Sequence, residues 1–263
     1  MTTESTLDVG TMRIHVLDDG VFITDASKLF GGSRRMRIRG AMHAVLVETG
    51  DGLVLIDAGF GPELPEVLAD RYELKREKNL MVMLHEMGHA AEDVTHVILS
   101  HLDADHVGWA LNPPSFPNAT IYVQEDALEE ARDMPEGDGR RAAVPALERG
   151  VEEGWCELQR GSGEVVPGIR LEVRAGHSAG HQIAWIADAA LYTADLAPAK
   201  IWLNPDLISG GDTDPEAARR NRIEVLEEAE SRNAPVILYH EPDDFLVNVR
   251  RTEKGFKGIP IGD

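Results

Sequence analysis

The chain has 263 residues, and its 46 acidic against 26 basic side chains give a formal net charge of −20. This charge argues against nucleic acid and anionic membranes as partners, because both bind to cationic faces. Hydrophobic residues at 43% and charged residues at 27% exclude the disordered and fibrous classes, and the single cysteine excludes a disulfide framework and zinc sites built on cysteine pairs.

The first half of the chain alternates short apolar segments with turns, which is typical of β-strands. Met12, Ile14 and Val16 recur with period two and predict a half-buried strand. The segments Ala44–Glu48 and Leu53–Asp57 flank a turn of Gly and Asp, so they predict a β-hairpin.

The rest of the chain mixes predicted helices with predicted strands. The predicted helices are Pro62 to about Ala91, Asp126–Arg132 and Pro215–Arg232. The predicted strands are His96–Leu99, Thr120–Val123, Arg170–Arg174, Ile183–Ala187, Leu191–Ala194 and Pro235–Tyr239. The last helix begins either with a capping box from Thr213 to Glu216 or with Asp214 as N-cap and Pro215 in the first turn. With no internal repeat and no linker, the pattern predicts one α/β or α+β domain spanning residues 1–263.

The densest group of potential metal ligands follows the predicted strand His96–Leu99. The segment SHLDADHVG, residues 100–108, contains His101, Asp103, Asp105 and His106 within six positions. We expect this segment to be a loop, because neither a helix nor a strand would direct all four side chains to one side.

Three further groups of candidates come later in the chain. Gly176–His181 (GHSAGH) carries His177 and His181 between glycines, Asp195 follows a predicted strand, and His240 follows the last one. Because each candidate follows a β-rich segment, one edge of a sheet would bring distant ligands into a single pocket.

This order of motifs resembles the metallo-β-lactamase superfamily, over roughly Val45–Phe245. The matching segments are LVLIDAGFG (53–61), VILSHLDADHVG (97–108), GHSAGH (176–181), LYTAD (191–195) and ILYHEPDD (237–244). The spacing between them is similar to that of the lactonase-like hydrolase branch. The resemblance implies an αββα four-layer sandwich with a dinuclear metal site.

The resemblance also implies roles for individual residues. His101 and His181 would bind one divalent ion, Asp105, His106 and His240 a second, and Asp195 would bridge them. A hydroxide activated by the two ions would hydrolyse an ester or lactone bond of a small-molecule substrate, with Asp105 holding the nucleophile or moving its proton. His177 corresponds to the histidine that is not a ligand, and Asp57 would orient a ligand histidine.

Asp103 departs from the family pattern, which has histidine at this position. We expect Asp103 to be a metal ligand, and its charge would favour manganese or iron over zinc. The alternative is that aspartate is too short to reach, leaving the first site weak or empty. A carboxylate here also resembles the diiron branch of the superfamily, so a standalone diiron oxygen-using enzyme is the alternative function.

Two other features have alternative interpretations. His85–His89 (HEMGH) matches the H-E-x-x-H motif of zincin proteases, which requires both histidines on one helix face. Against a zincin, the segment leads within a few residues into the strand at His96. Cys156 has no basic neighbour in the sequence, so we expect it to be a packing residue rather than a nucleophile.

A run of arginines, Arg34–Arg39, stands out in an acidic chain. It is interpreted as a solvated loop, as a site for a substrate carboxylate or phosphate, or as a contact with the acidic face of a second subunit in a homodimer. The polar N-terminal segment resembles no signal peptide, and no apolar run approaches the ~18 residues that span a bilayer. We therefore expect a cytoplasmic protein.

Overall fold

A computed structural model describes residues 5–27, 36–64, 68, 72–111 and 114–261. Over these residues the chain forms two β-sheets and five α-helices, which confirms the predicted mixed α/β class. The chain divides into two compact units, Met1–Phe22 with Met42–Arg160 (unit 1) and Ile23–Ala41 with Gly161–Asp263 (unit 2). The single domain of residues 1–263 stays a prediction.

The first sheet has the strand order β1-β2-β3-β4-β6-β7-β8, with β5 beside β2. Its strands are β1 (Ser5–Val9), β2 (Met12–Asp25), β3 (Arg37–Thr49), β4 (Gly52–Ile56), β5 (Tyr72–Lys75), β6 (Val94–Ile98), β7 (Thr120–Gln124) and β8 (Cys156–Gln159). Strands β3 and β4 pair antiparallel, as the predicted hairpin requires. Strands β4, β6, β7 and β8 are parallel.

The helices of unit 1 are α1 (Leu80–Glu86), α2 (Ala104–Leu111), α3 (Glu125–Asp133) and α4 (Gly139–Glu153). The core of this unit includes Leu55, Val97, Leu128 and Leu147, all at most 1% exposed, and it also includes Cys156. The packing role expected for Cys156 is therefore confirmed.

The parallel pairing of β4 with β6 positions the predicted ligand segment. Because the carboxyl ends of parallel strands meet at one edge of a sheet, the residues after Ile56 and after Ile98 are neighbours. The N–H of Asp57 donates to the carbonyl of Ile98 at 2.9 Å, which joins the two strand ends directly.

The second sheet, in unit 2, has the order β15-β14-β13-β12-β11-β10-β9. Its strands are β9 (Gly163–Val166), β10 (Ile169–Val173), β11 (Gln182–Ile186), β12 (Ala190–Tyr192), β13 (Pro235–Ile237), β14 (Leu246–Thr252) and β15 (Gly255–Pro260). Strands β12 and β13 are parallel neighbours, so Asp195 after β12 and His240 after β13 leave the sheet at the same edge.

Helix α5 (Pro215–Arg232) packs the apolar residues Val225, Leu226 and Ala229 into the core of unit 2. The Asp214 side chain accepts a hydrogen bond from Ala217 N at 3.0 Å, and Pro215 occupies the first turn. The structure therefore selects the second of the two predicted helix starts.

The helical prediction for Pro62 to about Ala91, which left its breaks open, is confirmed for α1 and wrong for β5. Strand β5 lies within it, and α1 covers only Leu80–Glu86, while residues 65–67 and 69–71 lie outside the described residues. Asn79 caps α1 by accepting from Val82 N at 2.9 Å, and Gly88 with φ +85° ends the helical path.

Helix α4 was not predicted, because Pro145 and two glycines interrupt its apolar pattern.

None of the helices in the described ranges is both long enough and apolar enough to cross a membrane.

Candidate metal centre

The segment after β6 is a loop only as far as Asp103, because α2 begins at Ala104. The prediction of a loop over Ser100–Gly108 is therefore wrong in its second half. Asp105 and His106 lie in the first turn of α2, where the helix dipole favours a carboxylate. A ligand atom of Asp105 and one of His106 lie within 4.8 Å of each other, so one helical turn presents both.

Asp57 ties this segment to the end of β4. Its buried carboxylate accepts hydrogen bonds from Ser100 N (2.7 Å), Ser100 Oγ (2.6 Å) and His106 Nδ1 (2.7 Å). Burial alone would raise the pKa of Asp57, but the neighbouring His106 outweighs burial and holds that pKa below its ordinary value. Asp57 therefore holds the ring of His106, as the sequence analysis expected. The role of His106 as a metal ligand stays a prediction.

A close backbone approach explains why the IDAGFG turn and the DHVG segment occur together. A Cβ atom on Gly108 would lie 1.9 Å from the carbonyl carbon of Phe60, so only glycine fits there. The turn and the helix are also joined by hydrogen bonds from Ala58 N to His106 O (2.7 Å) and from Gly108 N to Gly59 O (2.8 Å). The first turn of α2 is therefore fixed by backbone as well as by Asp57.

His101 and Asp103 form the other half of the unit 1 ligand set. Ser100 Oγ donates to Asp57, so it accepts from the Nδ1–H of His101 at 2.9 Å. His101 Nε2 lies 3.5 Å from Asp103 Oδ2. The other oxygen of Asp103 accepts a hydrogen bond from Nε of Arg140 on α4.

Asp195 is the central residue among the candidate ligands of unit 2. It lies in a 3-10 turn, Ala194–Leu196, that begins with Ala194 in the left-handed region at φ +44°. Its Oδ1 lies 3.3 Å from His240 Nε2, and its Oδ2 lies 3.5 Å from His177 Nε2. Each carboxylate oxygen thus faces a different imidazole nitrogen.

These nitrogen–oxygen separations are longer than the about 2.7–2.9 Å of a charge-assisted hydrogen bond. Two ligands about 2.0–2.1 Å from one tetrahedral ion lie about 3.4 Å apart, and the contacts of Asp195 match that spacing. The arrangement suits a carboxylate that gives one oxygen to each of two ions.

In unit 2, His177 and His240 each have a hydrogen bond from Nδ1 to an oxygen of another residue. His177 Nδ1 donates to Asp212 Oδ1 at 3.1 Å, and His240 Nδ1 donates to the carbonyl of Ala41 at 2.8 Å. Asp212 is itself held by a hydrogen bond from Ser209 N at 3.0 Å. The sequence analysis did not find Asp212, because it lies 35 positions from His177 in the chain.

One tautomer is common to four histidines, each of which donates through Nδ1 to an oxygen and presents Nε2 for a metal. The four are His101, His106, His177 and His240. Histidine held in this way is a common ligand of zinc and iron, and carboxylates extend the range to manganese. The donors of both units therefore fit divalent metal ions.

His177 contacts Asp195, whereas the family resemblance implied that His181 is the metal ligand of this segment. His181 is completely buried, and its ring lies edge-to-face with that of His177 at 5.9 Å between centroids. The contact with Asp195 Oδ2 comes from His177. The ligand role of His181 stays a prediction, because the contact between His177 and Asp195 does not test it.

The zincin interpretation of HEMGH fails on geometry. Helix α1 ends at Glu86, so His89 lies beyond it and the two histidines do not share a helix. His85 is exposed, and His89 Nε2 lies 3.7 Å from Glu48 Oε1.

The arginine run is only partly described, since Arg34 and Arg35 lie outside the described residues. Arg39 forms a 2.7 Å ion pair with Asp243, and both side chains are exposed. Such a pair contributes about 0–1 kcal/mol, and it leaves the three interpretations of the run open.

Comparison with known proteins gives the class. Residues 38–240 match the family model described as the metallo-beta-lactamase superfamily, and the chain belongs to this superfamily. It is a metallo-hydrolase, and its sequence is similar to those of lactonases.

Two similar sequences and one solved structure illustrate the range of relatives. An N-acyl homoserine lactonase from Bacillus cereus is 28% identical over 231 residues, covering 82% of this chain and 84% of the relative. A probable metallo-hydrolase from Mycobacterium tuberculosis is 30% identical over 160 residues, covering 53% of this chain and 50% of the relative. AidC, a dizinc quorum-quenching lactonase solved with the product N-hexnoyl-L-homoserine, superposes with a TM-score of 0.81 at 20% identity, over 98% of this chain and 97% of AidC. The expected fold is thereby confirmed.

Proposed function

We propose that the chain is a dinuclear metal-dependent lactone hydrolase, with N-acyl homoserine lactones as the first substrate class to test and simple esters as the second. The observation that carries the proposal is the carboxylate of Asp195, whose two oxygens face His240 and His177 at 3.3 and 3.5 Å. Family membership and the lactonase relatives support it from the side of sequence.

The proposed ligands are those of the sequence analysis with one revision. His177 is preferred to His181 beside Asp195, on the contacts described above. One ion would be held by Asp105, His106 and His240, the other by His101, Asp103 and His177, and Asp195 would bind both. The full set, including the earlier candidate, is His101, Asp103, Asp105, His106, His177, His181, Asp195 and His240.

Two divalent ions bound there would supply an acidified water and polarise the carbonyl oxygen of a lactone. The chain's own residues would then do the remaining work. Asp105, in the first turn of α2, would accept the proton of the attacking water and deliver it to the leaving alcohol oxygen. Asp57 and Asp212 would hold His106 and His177 in the tautomer that presents Nε2.

The identity of the metal is part of the proposal. Imidazole nitrogens suit zinc and iron, and the additional carboxylate of Asp103 beside His101 widens the choice to manganese. The same carboxylate is the observation that favours the second candidate, a standalone diiron oxygen-using enzyme. An iron-oxo absorbance in protein purified without added metal would favour that candidate.

The products bound in the solved relatives suggest the reaction to follow. AidC is described with N-hexnoyl-L-homoserine, and another relative, an N-acyl homoserine lactone hydrolase, with N-hexanoyl-L-homoserine at its catalytic metal centre. Addition of one water to a lactone ring gives a hydroxy acid, which releases one proton at neutral pH. The reaction can therefore be followed by titration at constant pH.

The test is a screen of acyl homoserine lactones, aryl esters and phosphotriesters with zinc, manganese, iron or cobalt added. We expect lactones to be hydrolysed fastest, with the activity removed by a chelator and restored by metal. If no lactone reacts with any metal while aryl esters or phosphotriesters do, the substrate class is wrong. The cytoplasmic location and the homodimer stay predictions.

A further inference from the structure

Asp103 has a cationic partner that the family resemblance does not supply. Arg140 is 8% exposed and lies in the first turn of α4. Its Nε donates to Asp103 Oδ1, its Nη2 lies 3.4 Å from Asp103 Oδ2, and its Nη1 lies 3.5 Å from Glu130 Oε2. The fork of one guanidinium thus spans both oxygens of Asp103.

The two oxygens of Asp103 have different surroundings. Oδ1 accepts from Arg140 Nε, whereas Oδ2 also lies 3.5 Å from His101 Nε2. Nη2 of Arg140 reaches Oδ2 only at 3.4 Å, so Arg140 holds Oδ1 more closely than Oδ2. The four histidines resemble this arrangement in that the protein holds one ring nitrogen, Nδ1, and leaves Nε2 to face a metal. A histidine needs an outer acceptor for its N–H, but a carboxylate needs an outer donor, and Arg140 supplies it.

The positive charge of Arg140 also offsets the negative charge of Asp103. Aspartate at position 103 adds one negative charge compared with histidine, and Arg140 adds one positive charge beside it. A guanidinium does not lose its proton in proteins, so the positive charge beside Asp103 is permanent. The ligand set is therefore less anionic than its three aspartates suggest.

The start of α4 fixes where Arg140 can reach. Asp138 caps the helix by accepting from Arg140 N at 2.8 Å. A Cβ on Gly139 would lie 3.5 Å from Cβ of Ala104, the residue that follows Asp103. Only about one side-chain atom would fit between Gly139 and Ala104, so the start of α4 lies close to the start of α2, and Arg140 lies beside Asp103.

We infer that Arg140 is a positioning residue for the metal centre, and that Asp103 and Arg140 act as a pair that replaces the histidine of the family pattern. Arg140 holds Oδ1 so that Oδ2 stands beside His101 Nε2 as a metal ligand. This inference rests on the proposed function only in assuming that the centre binds metal ions, and it makes no assumption about the substrate.

The first test measures metal affinity by chelator competition, and metal content by elemental analysis, with zinc and manganese as probes. Arg140→Met is expected to weaken the binding of one ion about 10–100-fold, as the loss of an outer partner does. Arg140→Lys is expected to recover part of this affinity. The lysine ammonium keeps the positive charge but lacks the paired N–H donors that match both oxygens of a carboxylate. Arg149→Met, on the same helix at an exposed position, is the matched control and is expected to bind both ions like the wild type.

The second test separates pairing from a merely structural role. Asp103→His alone restores the family motif but leaves a buried guanidinium facing the ions, so we expect weaker metal binding than in the wild type. Asp103→His with Arg140→Gln is expected to bind one ion at least tenfold more tightly than Asp103→His alone. Circular dichroism would identify variants that fail to fold.

The inference is overturned if Arg140→Met is folded and binds both ions like Arg149→Met, or if the double variant binds no better than Asp103→His. If Arg140→Met does not fold, the comparison of the single and double variants at position 103 decides. A wild type that binds two ions but hydrolyses no lactone would instead contradict the proposed function and leave the pair supported.

Discussion

The two ligand regions of the molecule are built differently. In unit 1, His101, Asp103, Asp105 and His106 lie within six consecutive positions, in the loop after β6 and the first turn of α2. In unit 2, His177, Asp195 and His240 come from three separate connections, and the pairing of β12 with β13 brings the last two to one edge. The first region is thus a local motif, whereas the second is a product of sheet topology.

The groups that hydrogen-bond to the candidate ligand histidines also differ between the two units. In unit 1, the single carboxylate of Asp57 holds Ser100 and His106 at 2.6–2.7 Å, with all of these side chains buried. In unit 2, His177 depends on Asp212 at 3.1 Å and His240 on a backbone carbonyl. We therefore expect the ligands of unit 1 to be oriented more rigidly than those of unit 2.

The largest effect is expected at Asp195, where unit 2 would contribute to both ions. Asp195→Asn removes the charge while keeping the shape, and we expect the affinity for both ions to fall by more than about 100-fold, the upper value for an outer partner. Chelator competition measures this, with Asp206→Asn, at an exposed position, as the control. Loss of only one ion would show that Asp195 does not bridge.

The next effect separates the two histidines of GHSAGH. His177→Ala is expected to lose one ion, because its Nε2 faces Asp195, whereas His181→Ala is expected to keep both ions and to lose stability as a buried side chain is truncated. Elemental analysis and thermal unfolding of both variants measure the difference. The opposite result would restore His181 as the ligand.

Asp57 and Asp212, the carboxylates that accept hydrogen bonds from candidate ligand histidines, allow a direct comparison of the two regions. Asp57→Asn should weaken metal binding by about 100-fold and Asp212→Asn by about tenfold, since Asp57 makes the shorter and more numerous contacts. Both variants keep the size of the side chain, so each serves as the control for the other. Equal losses would contradict the stronger orientation expected in unit 1.

A smaller effect is expected at Asp19, a residue of β2 whose side chain accepts hydrogen bonds from α1 and α2 in unit 1. Its buried carboxylate contacts Arg76 Nη2 (2.6 Å), Leu80 N (2.8 Å) and Trp109 Nε1 (3.0 Å). Burial raises the pKa of Asp19 to about 6, above its ordinary value, so the folded state holds this proton more tightly than the unfolded chain.

The stability that this proton contributes is present below about pH 4 and is lost as the pH rises to about 6. We therefore expect the stability of the wild type relative to Asp19→Asn to decline between those pH values and then to stay level. Urea unfolding of both proteins at several pH values measures this, and a difference independent of pH would contradict it.

The smallest effect is expected at Cys156, in the core of unit 1. Burial raises the pKa of its thiol to about 12, so at pH 8 only about one molecule in 10⁴ carries a thiolate. Labelling with a disulfide reagent should therefore be slow in the folded protein and fast in urea, and Cys156→Ala should keep full metal content. Rapid labelling of the folded protein would place this thiol outside the core.

Prediction from sequence succeeded where the cause was local. Short patterns gave the hairpin of β3 and β4, the Asp214 cap as one of two predicted helix starts, and the pairing of Asp57 with a histidine. It failed where tertiary contacts matter: α2 starts inside the motif, where Gly108 approaches Phe60 and Ala58 N donates to His106 O. Arg140 and Asp212 were missed for the same reason, since neither has a fixed spacing from the ligand it holds.

The most direct test of the account is the metal stoichiometry of the wild-type chain. Protein stripped of metal and then dialysed against zinc, manganese or iron would be analysed for ions per chain. The account predicts two ions per chain for at least one of these metals, as expected from a carboxylate with one oxygen for each ion. A limit of one ion with every metal would contradict the bridging role of Asp195 and the dinuclear centre.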